Sequence, residues 1–543
     1  LKRQTTNRKA LLSLALVCAE TGRFTQSDKY LRQALQYYSG ETEVHYIASV
    51  INVMKGDLKA AELQIRIAIE IKNDYEKAYE LLSQILYMQE RYNEVIDISD
   101  YLIRRNRSNS KAWYIKGIAQ NKLGLIEDSI DTWATGLSLN PQDEIMRFAM
   151  EMELRDSLSL EDFRRSKHAN FHLENARQYE SRYDNAGAVY EYQRTLLIDP
   201  MNSKARFAYA NMLELNGMYE LYLEQLKFIQ ENTPDKITKK VSDKIEAYES
   251  LLSDTLSKKW NVDSFYLDKT RWNIAIFYTD ETNSFIHADA NRIAALAASD
   301  VFSGIAITSV KSQVTPVSSY SEAFKNARNN KFDYFVILSV SESDEDITLK
   351  SSFYSGRTGT EISKENFYST GNNKFSTVLR RFRNSILEKL TVKGKILNRN
   401  GKQLLVDLGK AENIVENAEF KILKKGSVKT ADSNVGLIYK ESDVVGSLVI
   451  TKAGEEISEA ELTKHGFYDR VNINDEIILV SLPESKGKND ANGNAIDTVP
   501  QADEKGNPLV KNDVEQTEGE KLVLEIRNAV EQPSIVQLLR NIY

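Results

Sequence analysis

The chain has 543 residues, room for three or four domains at about 150 residues each, and its 71 Lys and Arg against 78 Asp and Glu leave a net charge of −7. That mild acidity argues against a dedicated nucleic-acid binder, which carries a basic excess. A lone cysteine, Cys18, excludes an intrachain disulfide framework and a Cys-based zinc site, and five histidines leave little material for a His-rich metal centre, so no metal and no cofactor are expected.

In chain order, the sequence begins at Leu1 and not at Met. An upstream leader or anchor is therefore left open, and membrane contact is expected only through such a missing segment, because no apolar run here is long enough to span a bilayer. The first strong signal is an internal repeat. Gly22, Gly56, Glu90 and Gly124 follow one another at a 34-residue step, each trailed two residues later by Phe24, Leu58, Tyr92 or Ile126. Pro200 and Pro234 keep the same spacing, and Trp113, Gly117, Gly124, Trp133 and Pro141 place bulky, small and helix-stopping residues as a helix-turn-helix repeat needs them. The pattern resembles the tetratricopeptide repeat (TPR) over roughly the first 240 residues. An all-α TPR solenoid is expected over 1–257, with units 8–41, 42–75, 76–109, 110–143, 169–202 and 203–236. An extra helix at 144–165 interrupts the register, and a helix over 237–256 caps the array. The eighth residue of each unit is small (Ala15, Ser49, Ser83, Gly117, Ala176, Ala210), as the close approach of two paired helices requires. In the fifth unit Tyr183 replaces the turn glycine.

The TPR resemblance implies a concave groove for protein partners, lined by the first helix of each pair. On this register the groove residues are Tyr46, Val50, Met54, Glu80, Gln84, Tyr87, Met88, Tyr114, Ile118 and Asn121. The surface is aromatic and apolar with few charges. Where TPR cochaperones use Lys and Asn to hold a chaperone's terminal carboxylate, the matching positions of the first units here are mostly Leu, Tyr, Val and Ile. Packing of some of these residues against the extra helix or a following domain is the alternative.

The pattern changes near residue 260. Strand runs at 272–278, 305–310, 332–340, 347–354 and 360–368 alternate with helical stretches at 288–302, 320–329 and 374–390, a β-α-β-α-β-β-β-α order that predicts one α/β domain over 268–391. The run from Phe332 to Val340 is nearly all apolar, as a buried central strand would be. The segment from Ser355 to Gly359 reads as a hairpin turn. These cues resemble the N-terminal domain of the Tol-system protein TolB, the middle domain of the flagellar H-ring protein FlgT and the curli-secretion lipoprotein core. The resemblance implies a non-enzymatic assembly module of the cell envelope.

No catalytic residues are expected. The loop after the first strand, from Thr279 to Ser284, has no glycine for a dinucleotide fingerprint, and no phosphate-binding P-loop occurs. Asp280 and Glu281 read better as a solvated turn. His287 has no Cys, Asp or Ser partner at a motif spacing, and the basic run Arg380, Arg381, Arg383 reads as a solvated helix face.

From Val392 the alternation predicts a small all-β domain, barrel or sandwich, over 392–482, with a hairpin in which Asn400 and Gly401 both take positive φ. It resembles the C-terminal domain of FlgT. Residues 484–520, rich in Lys, Asn, Gly, Asp and Glu, read as a disordered linker. Residues 521–543 read as a docking segment in cis or in trans. The domain order resembles TPR-containing collar proteins of the spirochaete periplasmic flagellar motor. That resemblance implies a periplasmic scaffold with protein partners, self-assembly or ring neighbours and no nucleic acid, with inner-membrane anchoring left open. The other reading is an envelope adaptor or chaperone presenting an exported client.

Overall fold

A computed structural model describes residues 6–263, 267–280, 286–311, 314–430, 437–464 and 470–483. The expected linker and docking segment, 484–520 and 521–543, lie outside the described residues. Among the described residues these form two compact units: those up to Thr391 with the short strands at 429–430 and 437–438, and Val392–Val428 with residues 439–483.

The first unit opens with α1 (Arg8–Glu20), α2 (Phe24–Tyr37), α3 (Thr42–Met54), α4 (Leu58–Ile71), α5 (Glu76–Met88), α6 (Tyr92–Arg105), α7 (Ser110–Lys122) and α8 (Ile126–Leu139), four TPR-type pairs at a 34-residue step. The turns inside the pairs need a left-handed residue: Gly22, Gly56 and Gly124 have φ of 71°, 78° and 77°, and Glu90 takes the same conformation at 60°. Where paired helices cross, small residues let hydrogen bonds pass between them. Ser27 Oγ donates to the Ala15 carbonyl at 2.7 Å and Ser49 Oγ to that of Ala61 at 2.8 Å. At Gly117 the space is taken by Trp133, whose ring lies 2.2 Å from where a Cβ would stand and whose Nε1 donates to the Tyr114 carbonyl at 3.1 Å.

The expected extra helix is shorter than 144–165. It is α9 (Glu144–Ser157), and α10 (Phe163–Ser181) begins six residues before the expected unit start at 169. α9 starts one 34-residue step after α7, and Asp143 caps it through the Met146 N–H as Asn109 caps α7 through that of Ala112. It is a first helix in register whose second helix is missing. Its eighth residue is Glu151, a large charged side chain where the other units have a small one. α11 (Asn185–Ile198), α12 (Ser203–Leu215), α13 (Tyr219–Asn232), α14 (Lys239–Leu251) and the short α15 (Leu256–Trp260) complete the solenoid. Tyr183 turns α10 into α11 with φ of 60°, and Gly217 does the same between α12 and α13 at 70°.

The α/β domain consists of β1 (Trp272–Thr279), α16 (Ala290–Ser303), β2 (Thr308–Val310), β3 (Thr315–Val317), α17 (Tyr320–Asn329), β4 (Tyr334–Glu342), β5 (Asp346–Ser355), β6 (Glu361–Thr370) and α18 (Lys374–Lys389). The sheet order is β2-β1-β4-β5-β6. β4 lies parallel to β1 and antiparallel to β5, and its apolar run is buried between neighbours on both sides. The second strand expected at 305–310 is shorter, 308–310, and a further strand not expected from the sequence, β3, pairs with the later part of β1.

The second unit is a closed six-stranded barrel and not a sandwich, in the order β12-β13-β8-β7-β14-β9. Its strands are β7 (Lys393–Asn400), β8 (Gln403–Val406), β9 (Glu419–Leu423), β12 (Val444–Ala453), β13 (Ser458–Lys464) and β14 (Glu476–Ser481); β10 (Lys429–Thr430) and β11 (Leu437–Ile438) form a separate ladder. Inward residues such as Ile396, Val406, Phe420, Leu448 and Ile477 fill the barrel. Its first hairpin differs from expectation. Asn400 pairs with Gln403, so Gly401 and Lys402 form the loop, and of Asn400 and Gly401 only Gly401 has positive φ, at 61°. Among the described residues no helix is long and apolar enough to cross a membrane.

Candidate functional site

The concave face of the first solenoid helices holds the chain's own α/β domain. One continuous hydrophobic core runs from Leu11 through Leu154 and on from Trp272 to Leu390. The element seated in the groove is the turn Ile286–Asp289 that leads into α16. Tyr114 is fully buried and its hydroxyl donates to the Ala288 carbonyl at 2.5 Å. The Tyr87 hydroxyl donates to Asp289 at 2.8 Å, and Gln84 Nε2 reaches the Ile286 carbonyl at 3.5 Å. Asp289 is left-handed (φ 59°) and does not cap α16. Its carboxylate instead meets Tyr87, Lys122 at 3.4 Å and Arg292 at 3.3 Å.

The other groove residues take related places. Val50 and Ile118 are buried, and Tyr46, Met54 and Met88 pack partly buried against the same core. Tyr46 meets Tyr75 edge-on, with ring centroids 5.6 Å apart, and burial pushes its hydroxyl up in pKa. Glu80 accepts from Asn109 at 2.7 Å and lies 3.6 Å from Lys111, which in turn pairs with Asp344 at 3.0 Å. Asn121 Nδ2 is buried with no hydrogen-bond partner among the described residues.

The polar centre of this clasp is His287. Its Nε2 stands 3.1 Å from Asp143 and its Nδ1 2.9 Å from Glu342, while its backbone N–H donates to the other Glu342 oxygen at 2.9 Å. The Tyr114 ring covers it edge-on, with centroids 4.5 Å apart. Burial opposes a charge on the imidazole, but the carboxylates of Asp143 and Glu342 outweigh it and raise the pKa to about 10. Burial would likewise raise Asp143, yet His287, Ser110 and the Met146 N–H hold it down to about 2. His287 is thus a buried imidazolium between two carboxylates. No partner stands at a motif spacing, because Asp143 is 144 residues away and Glu342 is 55.

α9 supplies further contacts. Glu144 accepts the Phe375 N–H at 2.7 Å and the Ser376 N–H at 3.2 Å, so a carboxylate from the solenoid sits on the positive end of α18. Phe148 packs edge-on against Phe375, and Arg155 pairs with Asp300 of α16. On its other side Glu151 meets His172 at 2.7 Å and Arg194 at 2.6 Å, and His172 also meets Glu191 at 2.6 Å. Burial opposes charge here too, but His172 and Arg194 hold Glu151 down to about 2.

The remaining candidates stand apart from this centre. Asp280 is exposed, Glu281 lies outside the described residues, and Arg380 and Arg381 are exposed with Arg383 half-buried on α18. No group of His, Cys, Asp and Glu among the described residues could hold a metal ion.

Comparison with known proteins places one match within the α/β domain. A family model described as "TPASS_0648_2nd: family, second domain" covers residues 271–388. A search of curated proteins finds no match. Among solved structures, MamA (41-end) from Desulfovibrio magneticus RS-1 is similar at 12% identity over 37% of this chain and 99% of its own, with a TM-score of 0.26. PilF of Pseudomonas aeruginosa is similar at 15% identity over 44% of this chain and 96% of its own, with a TM-score of 0.26. YrrB, described as a TPR protein with an unusual peptide-binding site, is similar at 17% identity over 38% and 93%, with a TM-score of 0.22. At TM-scores this low they add nothing to the helix-pair geometry from which the repeat is read.

Proposed function

We propose that the chain is a non-enzymatic protein-interaction scaffold that helps to assemble a cell-envelope machine, with its place in the periplasm and a flagellar-motor collar as the machine. The observation that carries the scaffold reading is the clasp. The solenoid spends its first concave face on fixing its own α/β domain through a shared core and a buried His287 ion cluster. A domain held in this way is presented at a set angle, as a structural part needs, and no catalytic constellation has to be invoked. The collar and the periplasm are supported by the order of TPR solenoid, α/β domain and small barrel.

The test is the assembly state. The purified full chain, or its density inside the cell envelope, is expected to appear as repeating copies. A monodisperse monomer that binds many unfolded peptides would overturn the scaffold in favour of an adaptor or chaperone that presents an exported client. One observation favours keeping that second reading: among the described residues Leu215 and Leu251 are exposed on α12 and α14.

A further inference from the structure

β6 ends the path of the α/β sheet. It borders β5 on one side, and among the described residues no strand pairs with its other side. The backbone bonds around the β5–β6 turn show which groups that open side presents. The Ser355 N–H donates to the Thr360 carbonyl at 3.0 Å, and the Gly356 N–H to that of Asp333, just before β4, at 2.8 Å. Odd-numbered residues of β5 therefore bond toward β6 and even-numbered ones toward β4, as antiparallel ladders alternate. Their register partners Ser363, Glu365, Phe367 and Ser369 bond inward to β5. Lys364, Asn366 and Tyr368 are left to turn their N–H and C=O groups outward. The Tyr368 carbonyl agrees with this, since it accepts from the Arg381 guanidinium of α18 at 2.6 Å. β6 is ten residues long with no proline or glycine, so it is neither short nor broken in the ways that commonly guard an edge.

α18 supplies the other half of the surface. It packs on both β5 and β6. Phe382 meets Phe367 with ring centroids 5.9 Å apart, and Lys389 pairs with Glu365 at 2.6 Å. With Arg381 level with Tyr368 and Lys389 with Glu365, α18 runs antiparallel to β6. Arg381, Asn384 and Glu388 are exposed and recur at i, i+3 and i+7, one stripe on the flank beside the open edge. Rises of about 1.5 Å per helix residue and about 3.4 Å per strand residue bring Asn384 level with Asn366 to within about one residue.

We propose that β6 pairs antiparallel with β6 of a second copy about a two-fold axis at Asn366, so that the two sheets become one. A two-fold contact needs a self-complementary surface, and this register supplies it. Asn366 meets Asn366, Lys364 meets Tyr368 and Ser363 meets Ser369, with no like charges opposed. Arg381 of each copy faces Glu388 of the other, and Asn384 faces Asn384. With each α18 over its own β5–β6 seam, the two helix axes stand two strand spacings apart, about 10 Å, which is an ordinary helix-packing distance. Centring the axis on Lys364 or Glu365 would oppose like charges, and centring it on Tyr368 would set Arg381 against Arg381. The inference rests on the scaffold reading for its repeating copies and names one contact between them.

The test uses the full chain. In a Cys18→Ala background, Asn366→Cys is expected to oxidise to a covalent dimer, because paired residues at the axis stand about 5.5 Å apart at Cα, within disulfide reach. Lys364→Cys is expected not to, its two copies being about 14 Å apart. Sedimentation of the chain without cysteine changes gives the dimer affinity. Asn366→Pro removes an N–H that the monomer does not use, and Arg381→Glu sets two carboxylates against each other; each should weaken the dimer about tenfold or more, with the fold kept as read by circular dichroism. Arg381→Glu combined with Glu388→Arg should restore most of the affinity. Should Asn366→Pro unfold the chain, the cross-link and the charge reversal decide. A chain that stays monomeric at all concentrations, equal cross-linking at 364 and 366, an affinity untouched by a folded Asn366→Pro, or a double reversal that restores nothing overturns the proposal. Copies that still assemble with β6 blocked remove this contact and leave the scaffold reading standing; a monomer that also binds many unfolded peptides removes both.

Discussion

Replacing His287 by leucine removes the imidazolium between Asp143 and Glu342, which approach it at 3.1 and 2.9 Å in a buried site. Two buried carboxylates are then left without the imidazolium that joined them. Breaking a buried, hydrogen-bonded ion pair by deleting one partner costs about 3–5 kcal/mol, and 1.4 kcal/mol is a factor of ten. The clasp is therefore expected to open roughly a hundred- to several-thousandfold more often. Native-state hydrogen exchange reads this directly. Amides of α16 and of the N-terminal turns of α7 and α9 should lose protection by that factor, while the barrel strands β12 and β13 keep theirs. Adding Asp143→Asn and Glu342→Gln should restore more than half of the loss, since the buried charge itself is gone. The pH dependence has a definite sign. The raised His287 pKa means its contribution is complete below the ordinary value of 6.5 and disappears as pH rises through about 10. The lowered Asp143 pKa means its contribution is present above 3.8 and disappears as pH falls toward about 2. Protection of α16 that changes by less than about 0.5 kcal/mol in the leucine variant, a change of the size seen at ordinary surface sites, would refute the clasp as an energetic element.

Three further outcomes are expected. Gly117→Ala should destabilise the α7–α8 pair by about 1–3 kcal/mol, because a Cβ 2.2 Å from the Trp133 ring forces that ring off its bond to Tyr114, even against a gain of about 1 kcal/mol in helix propensity; unchanged thermal unfolding would refute the repeat register. Tyr183→Gly should stabilise the α10–α11 pair by up to about 1 kcal/mol, since the side chain is 91% exposed and the left-handed backbone strains any residue with a Cβ; denaturant unfolding showing a loss would mean the tyrosine makes contacts worth more than that strain. Glu144→Ala should cost about 1–2 kcal/mol by leaving the Phe375 and Ser376 N–H groups unpaired at the start of α18, and exchange at those two amides should rise first.

What the sequence discloses and what it hides divide along one physical line. The four N-terminal pairs are legible because each is a local event: a turn that needs positive φ, a small residue at a helix crossing, a fixed step of 34. The apolar run of β4 is legible for the same reason. α9 is harder to read. Its start keeps the 34-residue step, but the missing second helix and Glu151 in the place of a small residue make it look like an insertion. The groove is readable as a set of positions, Tyr87 and Tyr114 among them, yet nothing local says that residues 286–289 of the same chain lie on them. His287 shows the limit most sharply. Its partners come from a helix cap and a strand end that only the fold brings together, so a search at motif spacing has nothing to find.

α9 also explains why the solenoid changes character halfway. A repeat with both helices passes its apolar face to the next repeat and leaves the concave side free. α9 has no second helix of its own, and its polar residues are divided between two neighbours. Asp143, Glu144 and Arg155 bond to the α/β domain, and Glu151 bonds to His172 and Arg194 of the following pair. The bonds of Asp143, Glu144 and Glu151 are buried, so losing one leaves a carboxylate poorly solvated, whereas Arg155 and Asp300 stay about a quarter exposed. The large Glu151 side chain fits only because the crossing helix that would need a small residue there is absent. The interruption of the repeat and the capture of the α/β domain are therefore one structural event. Up to α9 the concave face is committed to the chain's own domain. Beyond it, Leu215 and Leu251 at the same register position are exposed among the described residues.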